Sequence, residues 1–431
     1  MGVGGAYVAL AEDTEGSAVN SAAPAVRDAY STSWFDYDVG VGIAFPGAFT
    51  QSDFDNHGDN ASLPAGHARS GDFTDLTLGG TVQFGRFGFA ATGDLQQFQL
   101  SGGGPASLTM QLGRWKVLGA YALLDGQLVV GGGARIITMQ ILQNGGGTLL
   151  TMTGAAPEAG VLLMPTGRRF RVGATARAPV SGGIFGSQNV SNAGGVRSVG
   201  PFVLPDQVVQ PWEIEAGVAL QLGPRPLNPG WEDPHDQEAE LRAEISRDRD
   251  KRALRAATEL ATLPDGPERD RRRRALDAEE RALQSLEDEH LDEERDRLRA
   301  VRKARYRNWP RDKILVLASV LVAAPSPNAI SVEGFLDQRI ERVGQNATFT
   351  PRLGFEAEPL EDRLILRGGT YLEPSRYEGS SPRQHVTFGG DVHLLPLTFW
   401  GLLPDADWKI GLFVDLAPRY QNAGIALGNW H

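Results

Sequence analysis

The sequence has 431 residues, and its glycine and its charge are unevenly distributed along the chain. It contains 53 glycines, a share well above the roughly 7% typical of proteins. Residues 231–307 hold only one of these glycines, whereas 41 of the 77 residues in that range are charged. A glycine-rich body with few charges is therefore interrupted by a charge-dense insert.

The composition excludes several classes of protein. Because the chain has no cysteine, it has no disulfide, zinc–cysteine site, iron–sulfur cluster or thiol chemistry. It has no apolar run of about 18 residues, the length that a transmembrane helix needs. The net charge of −11, with no basic block outside the insert, argues against a nucleic-acid partner. The first residues, Met-Gly-Val-Gly-Gly, lack the basic and long apolar regions of a signal peptide, so we expect an exported protein's signal to be absent from this chain.

Residues 1–30 are small and apolar, and their apolar residues do not alternate. Small side chains allow a backbone to pack in a crowded space, and Asp13 and Asn20 could cap short helices or bond to neighbouring strands. The candidate residues of this segment are Gly4, Gly5, Ala6, Tyr7, Asp13, Asn20 and Ala22.

From residue 33 onwards, apolar residues recur at every second position, which is typical of strands with one apolar and one polar face. In residues 212–222, for example, Trp212, Ile214 and Val218 alternate with Glu213 and Glu215. Strands are predicted to begin near residues 33, 74, 87, 108, 127, 148, 170 and 208, and after the insert near 313, 349, 363, 384 and 407, with a weaker one over 419–430. Because closed bacterial barrels have an even number of strands, we expect fourteen.

Alternation alone fits a soluble β-sandwich as well as a membrane barrel. Two features favour the barrel. The predicted strands reach the roughly 9–11 residues that a tilted transmembrane strand needs. The connections also alternate between long loops, such as 45–73 and 181–207, and tight turns, as in outer-membrane barrels.

The insert is predicted to form two helices over residues 234–306, separated at 263–267 by a segment with two prolines and a glycine. In the second helix Leu276, Leu283, Leu291 and Leu298 recur at seven or eight residues, which indicates an antiparallel hairpin with a narrow apolar seam. A solvated charged hairpin that binds nothing explains the same pattern. Because the insert follows the eighth strand, we expect it on the periplasmic side, which is the side of the tight turns.

The short motifs of the body resemble the FadL-type outer-membrane transporters of long-chain fatty acids and aromatic hydrocarbons. Gly4 to Tyr7, Ala11 to Asp13 and Asn20 to Ala22 are similar to that family's N-terminal signature, although Ser21 stands where the family has proline. Residues 170–180, 204–212 and 352–371 show further similarity. The resemblance implies an all-β transmembrane antiparallel barrel of about 14 strands with an N-terminal luminal hatch, and substrate that leaves sideways through a kinked third strand. A hatch that only blocks the pore, with no role in transport, is the simpler alternative.

The polar face of the predicted strands contains charges of both signs. An arginine in the lumen could bind a carboxylate with two hydrogen bonds, or it could form a structural pair with an acidic residue. The candidate ligand contacts are Arg171, Arg177, Arg352, Arg363 and Arg367. In the first long loop, His57 and His67 lie near Asp53, Asp55 and Asp59, which is the pattern of a cation site, but a solvated acidic loop is the simpler explanation. No arrangement of nucleophile and base and no phosphate loop is evident, so we predict no enzyme activity, no cofactor and no metal.

The sequence therefore divides into a hatch at 1–30, barrel strands 1–8 at 31–230, a periplasmic helical hairpin at 231–308 and barrel strands 9–14 at 309–431. The predicted function is passive uptake of hydrophobic small molecules, such as long-chain fatty acids, across the bacterial outer membrane. The alternative is a barrel that anchors or carries an envelope secretion or motility complex through its hairpin. The expected partners are a hydrophobic ligand, outer-membrane lipid, and a periplasmic protein or peptidoglycan for the hairpin.

Overall fold

The computed structural model describes most of the chain. The described residues are 2–27, 31, 33–46, 53, 56–58, 73–99, 108–143, 147–185, 191–193, 196–199, 202–203, 205, 207–310, 312–336, 338, 340–394 and 407–430. They form two compact units, of which the first contains the body of the chain and the second contains Ala29–Trp34 and Trp231–Trp309.

The first unit is an antiparallel barrel. Its strands are β1 (Phe35–Pro46), β2 (Phe73–Phe84), β3 (Phe87–Gln99), β4 (Leu108–Leu123), β5 (Leu128–Gln143), β6 (Thr148–Leu163), β7 in two parts (Phe170–Arg177 and Val180–Phe185), β8 in two parts (Val208–Gln210 and Glu213–Gln221), β9 (Ile314–Ala323), β10 (Thr348–Leu360), β11 (Leu364–Glu373), β12 (Arg383–His393), β13 (Trp408–Ala417) and β14 (Tyr420–Asn429). Each strand pairs with its sequence neighbours, and β1 pairs with β14 from Gly40↔Gly428 to Pro46↔Asn422. Among the described residues, fourteen strands thus close the barrel, which confirms the predicted fold class and the weak last strand.

The two faces of each strand differ as the alternation predicted. In β8 the side chains of Ile214 and Val218 are 47% and 48% exposed on the outer face, whereas the inward Glu215 is 1% exposed. Large apolar side chains are exposed in the same way on the other strands. An apolar outer band around a polar interior is the arrangement of a barrel surrounded by lipid.

The two ends of the barrel have different connections. At the turn end, the strand pairs β2–β3, β4–β5, β6–β7 and β10–β11 are joined by two to six residues. At the loop end, β1–β2, β7–β8 and β9–β10 are joined by more than twenty residues, and the last of these loops contains α4 (Val332–Leu336). The insert connects β8 to β9 and therefore joins the barrel at the turn end.

The third strand is regular, so the kink implied by the resemblance is wrong for this chain. β3 pairs with β2 from Phe73↔Phe98 to Phe84↔Phe87 and with β4 along its whole length, without a register shift. The interruptions lie instead in β7 and β8, each of which is divided into two parts.

The second unit contains a helical hairpin of α2 (Pro234–Thr262) and α3 (Pro267–Arg307). Ion pairs join the two helices, including Arg252 with Glu280 at 2.9 Å and Arg249 with Glu287 at 2.6 Å. Of the four leucines predicted to form the apolar seam, Leu276, Leu291 and Leu298 are half-buried, whereas Leu283 is 40% exposed. Ion pairs between the helices thus accompany a seam that is only partly buried. None of the helices in the described ranges is long and apolar enough to cross a membrane.

The outer face of β8 allows a direct test of the lipid-facing assignment. Val218 pairs with Val172 and Ala318 in the middle of the strand. Val218→Arg should lower the free energy of unfolding by about 2–4 kcal/mol, because an arginine near the bilayer midplane must lose its hydration. Equilibrium denaturation of barrels folded into lipid vesicles measures this change, with Val218→Leu as the control. A change near zero would mean that this face does not contact lipid.

Candidate functional site

The N-terminal segment 2–27 forms a hatch inside the barrel. It contains α1 (Asp13–Val19) and a 3-10 turn (Ala23–Ala25), and most of its residues are buried. The Asn20 side chain donates to the Val8 carbonyl at 2.8 Å and to the Val161 carbonyl of β6 at 3.3 Å. Asn20 therefore bonds to the wall as predicted. Asp13, however, is the first residue of α1, and the cap residue before it makes no side-chain hydrogen bond to the helix.

The hatch backbone lies directly on wall glycines. A Cβ added at Gly160 would overlap Asn20, one added at Gly173 would overlap the Val8 carbonyl, and one added at Gly369 would overlap the Gly4 nitrogen. Further glycines in contact with hatch atoms are Gly79, Gly88, Gly131, Gly217, Gly354 and Gly389. These contacts explain the high glycine content of the body, because only residues without a side chain let the hatch approach the strands this closely.

Polar side chains of the wall form hydrogen bonds with the backbone carbonyl and N–H groups of the hatch. Arg171 donates to the Leu10 carbonyl at 2.8 Å and to Glu12 Oε1 at 2.7 Å. The Gly4 nitrogen donates to Thr387 Oγ1 at 2.9 Å. Such bonds are required because an irregular buried backbone has no ladder partners of its own.

Only two of the five arginines predicted as ligand contacts line the cavity described below. They are Arg177, which donates to the Val19 carbonyl, and Arg352, which pairs with Glu215 at 2.8 Å. Arg171 and Arg367 are luminal but fully engaged, and Arg367 pairs with Glu356 at 2.7 Å and with Asp391.

The prediction for Arg363 is wrong. Arg363 lies in the exposed turn between β10 and β11, where its backbone N–H donates to the Leu360 carbonyl. The inward alternation of β11 begins only after this turn, at Ile365 and Arg367. A count that starts the strand one residue early therefore places the Arg363 side chain in the lumen.

A cavity of about 540 Å³ lies in the lumen beside the hatch. The hatch contributes residues such as Tyr7, Asp13 and Val19. Strands β13, β14, β1 and β2 contribute small and apolar residues, together with two charged ones: Gly40, Gly42, Ala44, Thr77, Gly79, Gly411, Ala426, Gly428, Val39, Val41, Ile43, Leu78, Phe413, Leu427, Asp38 and Lys409. The charged residues of the remaining wall are more numerous: Asp94, Arg114, Lys116, Arg135, Arg177, Glu213, Glu215, Arg352 and Asp391. Apolar and charged groups therefore both line the cavity, and most of the charges lie on β3 to β10.

The cavity reaches an interruption in the wall, which we name the wall break: Pro157 of β6, Ala178 and Pro179 of β7, and Pro211 and Trp212 of β8. Pairing of β6 with β7 stops at Glu158↔Arg177 and resumes, shifted by one residue, at Thr153↔Gly183. Pairing of β7 with β8 stops at Arg177↔Glu213 and resumes at Val180↔Gln210. Proline has no N–H to donate, so three prolines on adjacent strands prevent a continuous ladder here.

Arg135 of β5 bonds to the carbonyls that the wall break exposes. It is 4% exposed, and its guanidinium donates to the Ala178 carbonyl, to the Pro211 carbonyl at 3.0 Å and to Glu213 Oε2 at 3.4 Å. Sequence reasoning missed this residue. The available signal was the set of prolines within alternating segments, which are rare in central strands.

A second buried network lies at the loop end, where residues of the first long loop contact β12 and the turn between β13 and β14. Arg383 donates to the Asp53 carbonyl at 2.7 Å, and Asp53 pairs with His57 at 2.7 Å. Burial disfavours the charged form of Asp53, but hydrogen bonds from His57 lower the pKa of the Asp53 carboxyl overall. In the part of the chain that is described, no group of His, Asp and Glu side chains is placed to hold a metal ion.

The described residues thus define a transmembrane β-barrel whose N-terminal segment is packed against the inward face of the wall. Three solved structures are similar to it over most of the chain. A FadL homologue of Pseudomonas aeruginosa aligns over 99% of this chain and 95% of its own, with a TM-score of 0.49 and 10% identity. The CymD monoaromatic hydrocarbon channel aligns over 99% and 96%, with a TM-score of 0.46 and 10% identity. The Pseudomonas putida toluene transporter TodX aligns over 95% and 91%, with a TM-score of 0.45 and 10% identity. No protein-family model and no curated protein matches the sequence.

The contact between glycines and the hatch generates a prediction. Gly160→Val should displace residues 20–22, because the added side chain would occupy the position of the Asn20 amide. The hatch should then obstruct the pore less, and single-channel conductance in planar bilayers should rise.

The matched control is Gly119→Val on the outer face of β4, where an added Cβ meets only Phe89 at 3.7 Å. Conductance that rises equally in both variants, or in neither, would contradict the role of Gly160 in seating the hatch.

Proposed function

We propose that the protein lies in the bacterial outer membrane and admits hydrophobic small molecules, such as long-chain fatty acids, by passive diffusion. The observation that carries this proposal is the cavity of about 540 Å³, which lies in the lumen next to the hatch and reaches the wall break. Cavities of this volume are in the range that holds small organic ligands. Diffusion down a gradient requires only binding steps and an opening, so the proposal needs no cofactor.

The mixed lining of the cavity supports an amphipathic ligand. Glycine and alanine positions of β13, β14, β1 and β2 leave room for an apolar body next to the Phe413 ring, and Asp38 and Lys409 of the same strands add polar groups. Elsewhere in the wall, Arg177 and Arg352 are the two predicted arginines that a polar end group could reach. Their existing pairs with Glu213 and Glu215 mean that such a group would compete with the carboxylates.

The wall break supports a route between the cavity and the surrounding membrane. Gln210, Arg135 and Glu213 line the cavity and border the break, whereas the ladder of β3 is continuous on both sides. At the break, one backbone hydrogen bond remains between β6 and β7, from the Ala178 nitrogen to the Pro157 carbonyl at 3.0 Å. Strands joined by fewer ladder bonds separate at lower cost than fully paired strands. The sideways passage is therefore proposed between β6, β7 and β8.

A disulfide across the wall break tests this route. Ala156 of β6 and Val180 of β7 pack together there, and the chain has no cysteine of its own. In the double variant Ala156→Cys/Val180→Cys, oxidation should reduce uptake of a fluorescent fatty acid into cells about tenfold or more, because the closed passage removes the main path. Reduction should restore uptake.

Val218→Cys/Ala318→Cys is the matched control, since these residues pair in the uninterrupted ladder of β8 and β9. Uptake that is unchanged by oxidation at the wall break would show that the ligand takes another path. If cells that contain the unmodified protein take up no more fluorescent fatty acid than cells of a strain without the protein, the proposed function itself is contradicted.

The alternative function, an anchor or carrier for an envelope complex, has its own supporting observation. Paired charges fill much of the lumen, and the chain contains a hairpin whose helices are 29 and 41 residues long. At about 1.5 Å per residue these helices reach roughly 40–60 Å, far enough to contact peptidoglycan or a periplasmic protein. An anchor would retain its activity when the wall break is cross-linked.

We propose that the hairpin lies in the periplasm, because its connector joins the barrel at the turn end. Protease added to intact cells should then spare the many arginine sites of residues 242–305. The same protease should cut them after the outer membrane is opened, which immunoblotting of the fragments would detect. Cleavage in intact cells would place the turn end, and the hairpin, outside the cell.

A further inference from the structure

Two carboxylates on the inner face of the barrel share a single cation. Asp75 of β2 lies opposite Gln96 of β3, and Asp94 lies two residues before Gln96 on the same face. Asp75 and Asp94 therefore take diagonal positions, which are about 7–8 Å apart in a sheet. On the other side, Asp94 lies opposite Arg114 of β4, whose guanidinium is 3.3 Å from Asp94 Oδ1. The group of two acids and one arginine thus has a net negative charge.

Neither carboxylate is fully satisfied. Asp75 is 8% exposed, and its Oδ2 accepts a hydrogen bond from Gln96 Nε2 at 3.2 Å, whereas its Oδ1 has no hydrogen-bond partner among the described residues. In the same part of the structure, Asp94 Oδ1 and Arg114 Nε also lack hydrogen bonds, so this arginine does not form the usual two-bond pair with the acid. Buried polar atoms without partners are rare in folded proteins, so three of them on adjacent strands indicate a place where a further polar group binds.

Other luminal acids are balanced more closely by cations. Glu215 lies 2.8 Å from Arg352, and Glu356 has two cations at 2.7 Å. The charges of these acids are therefore neutralised within the protein. Two carboxylates in a poorly hydrated site are costly unless positive charge balances both. Asp75 and Asp94 consequently favour the binding of one more cation.

The two carboxylates lie beside small residues of the cavity wall. Asp94 lies opposite Thr77 of β2, and Thr77 lies opposite Gly42 of β1. Gly42 lies opposite Ala426 of β14, which lies opposite Gly411 of β13. All five residues line the cavity. Because neighbouring strands are about 4.8 Å apart, Gly42 is roughly 10 Å from Asp94 along the wall. A ligand with a charged end at Asp94 can therefore lay an apolar chain against wall that has few side-chain atoms.

We propose that Asp75 and Asp94 form a subsite for the protonated amine of an amphipathic ligand, whose chain lies along the row from Thr77 to Gly411. A primary ammonium group suits this place, because its three N–H groups are all donors and its charge balances the second carboxylate. A carboxylate end group would be repelled here. This inference adds a ligand class to the cavity and rests on the proposed function for its biological meaning, but binding is measurable without transport.

Titration calorimetry of the purified protein in a non-ionic detergent tests the subsite. The probes are octylammonium and octanoate, which have chains of equal length and opposite charge. Octylammonium should bind more tightly than octanoate. Asp94→Asn should weaken the binding of octylammonium about tenfold or more, because hydrogen bonds to a charged group are lost. Asp75→Asn should act in the same direction, and circular dichroism checks that each variant keeps its β-structure.

Asp125→Asn is the matched control. Asp125 lies in the turn between β4 and β5, where its side chain is exposed and pairs with Arg86. Its backbone φ is 54°, in the region that asparagine adopts more readily than most residues. The substitution removes the same charge outside the lumen and should leave the binding of octylammonium unchanged.

Two results would overturn the proposal. In the first, octylammonium binds the unmodified protein no more tightly than octanoate does. In the second, Asp75→Asn and Asp94→Asn leave the binding of octylammonium unchanged, which is expected if Asp75 carries a proton and the group is already neutral. Neither result depends on transport, whereas the fatty-acid uptake experiment does, so the two proposals fail separately.

Discussion

The rest of the structure depends on the direct contact between the hatch backbone and the backbone of the barrel wall. An inward side chain on β6, β7 or β11 at the level of the hatch would occupy the space of Asn20, Val8 or Gly4. The wall therefore has glycine at Gly160, Gly173 and Gly369, among others, although glycine weakens an isolated strand. Closure of the barrel supplies the ladder bonds that make this tolerable, because each of these strands is paired on both sides.

The same contact explains why the lumen is charged. A hatch without ladder partners leaves carbonyl groups that must be satisfied inside the barrel, where water is scarce. Arginine suits this task because its planar fork donates several hydrogen bonds in fixed directions. Arg171 shows the result, since it binds the Leu10 and Leu227 carbonyls, Asn228 and Glu12 together. A charged luminal residue in this fold is therefore more often a backbone partner than a ligand contact.

The sequence predicts the barrel well, since a two-residue period repeats in strand after strand and its start positions agree with the structure from β1 to β14. The site is predicted less well, because the two-residue alternation indicates the face on which a residue lies but not the groups that its side chain contacts. Arg171 and Arg177 have the same parity in β7, yet only Arg177 lines the cavity. Arg135, within a run of glycine and apolar residues, was missed because its partners lie on strands that are distant in sequence.

The hatch and the wall break depart from regular β-structure for different reasons, but both leave backbone carbonyls without ladder partners. The hatch lacks a ladder because its sequence does not alternate, and the ladder at the wall break is interrupted where Pro179 and Pro211 divide β7 and β8. Both leave carbonyls that arginines satisfy, since Arg177 bonds to Val19 and Arg135 bonds to Ala178 and Pro211. Acids of the neighbouring strands balance these arginines, and Glu158, Glu213 and Glu215 all lie within 4 Å of Arg177. Irregular backbone inside the barrel thus requires arginines as donors, and the buried arginines in turn require acids, so the charges of the lumen follow from the two irregular segments.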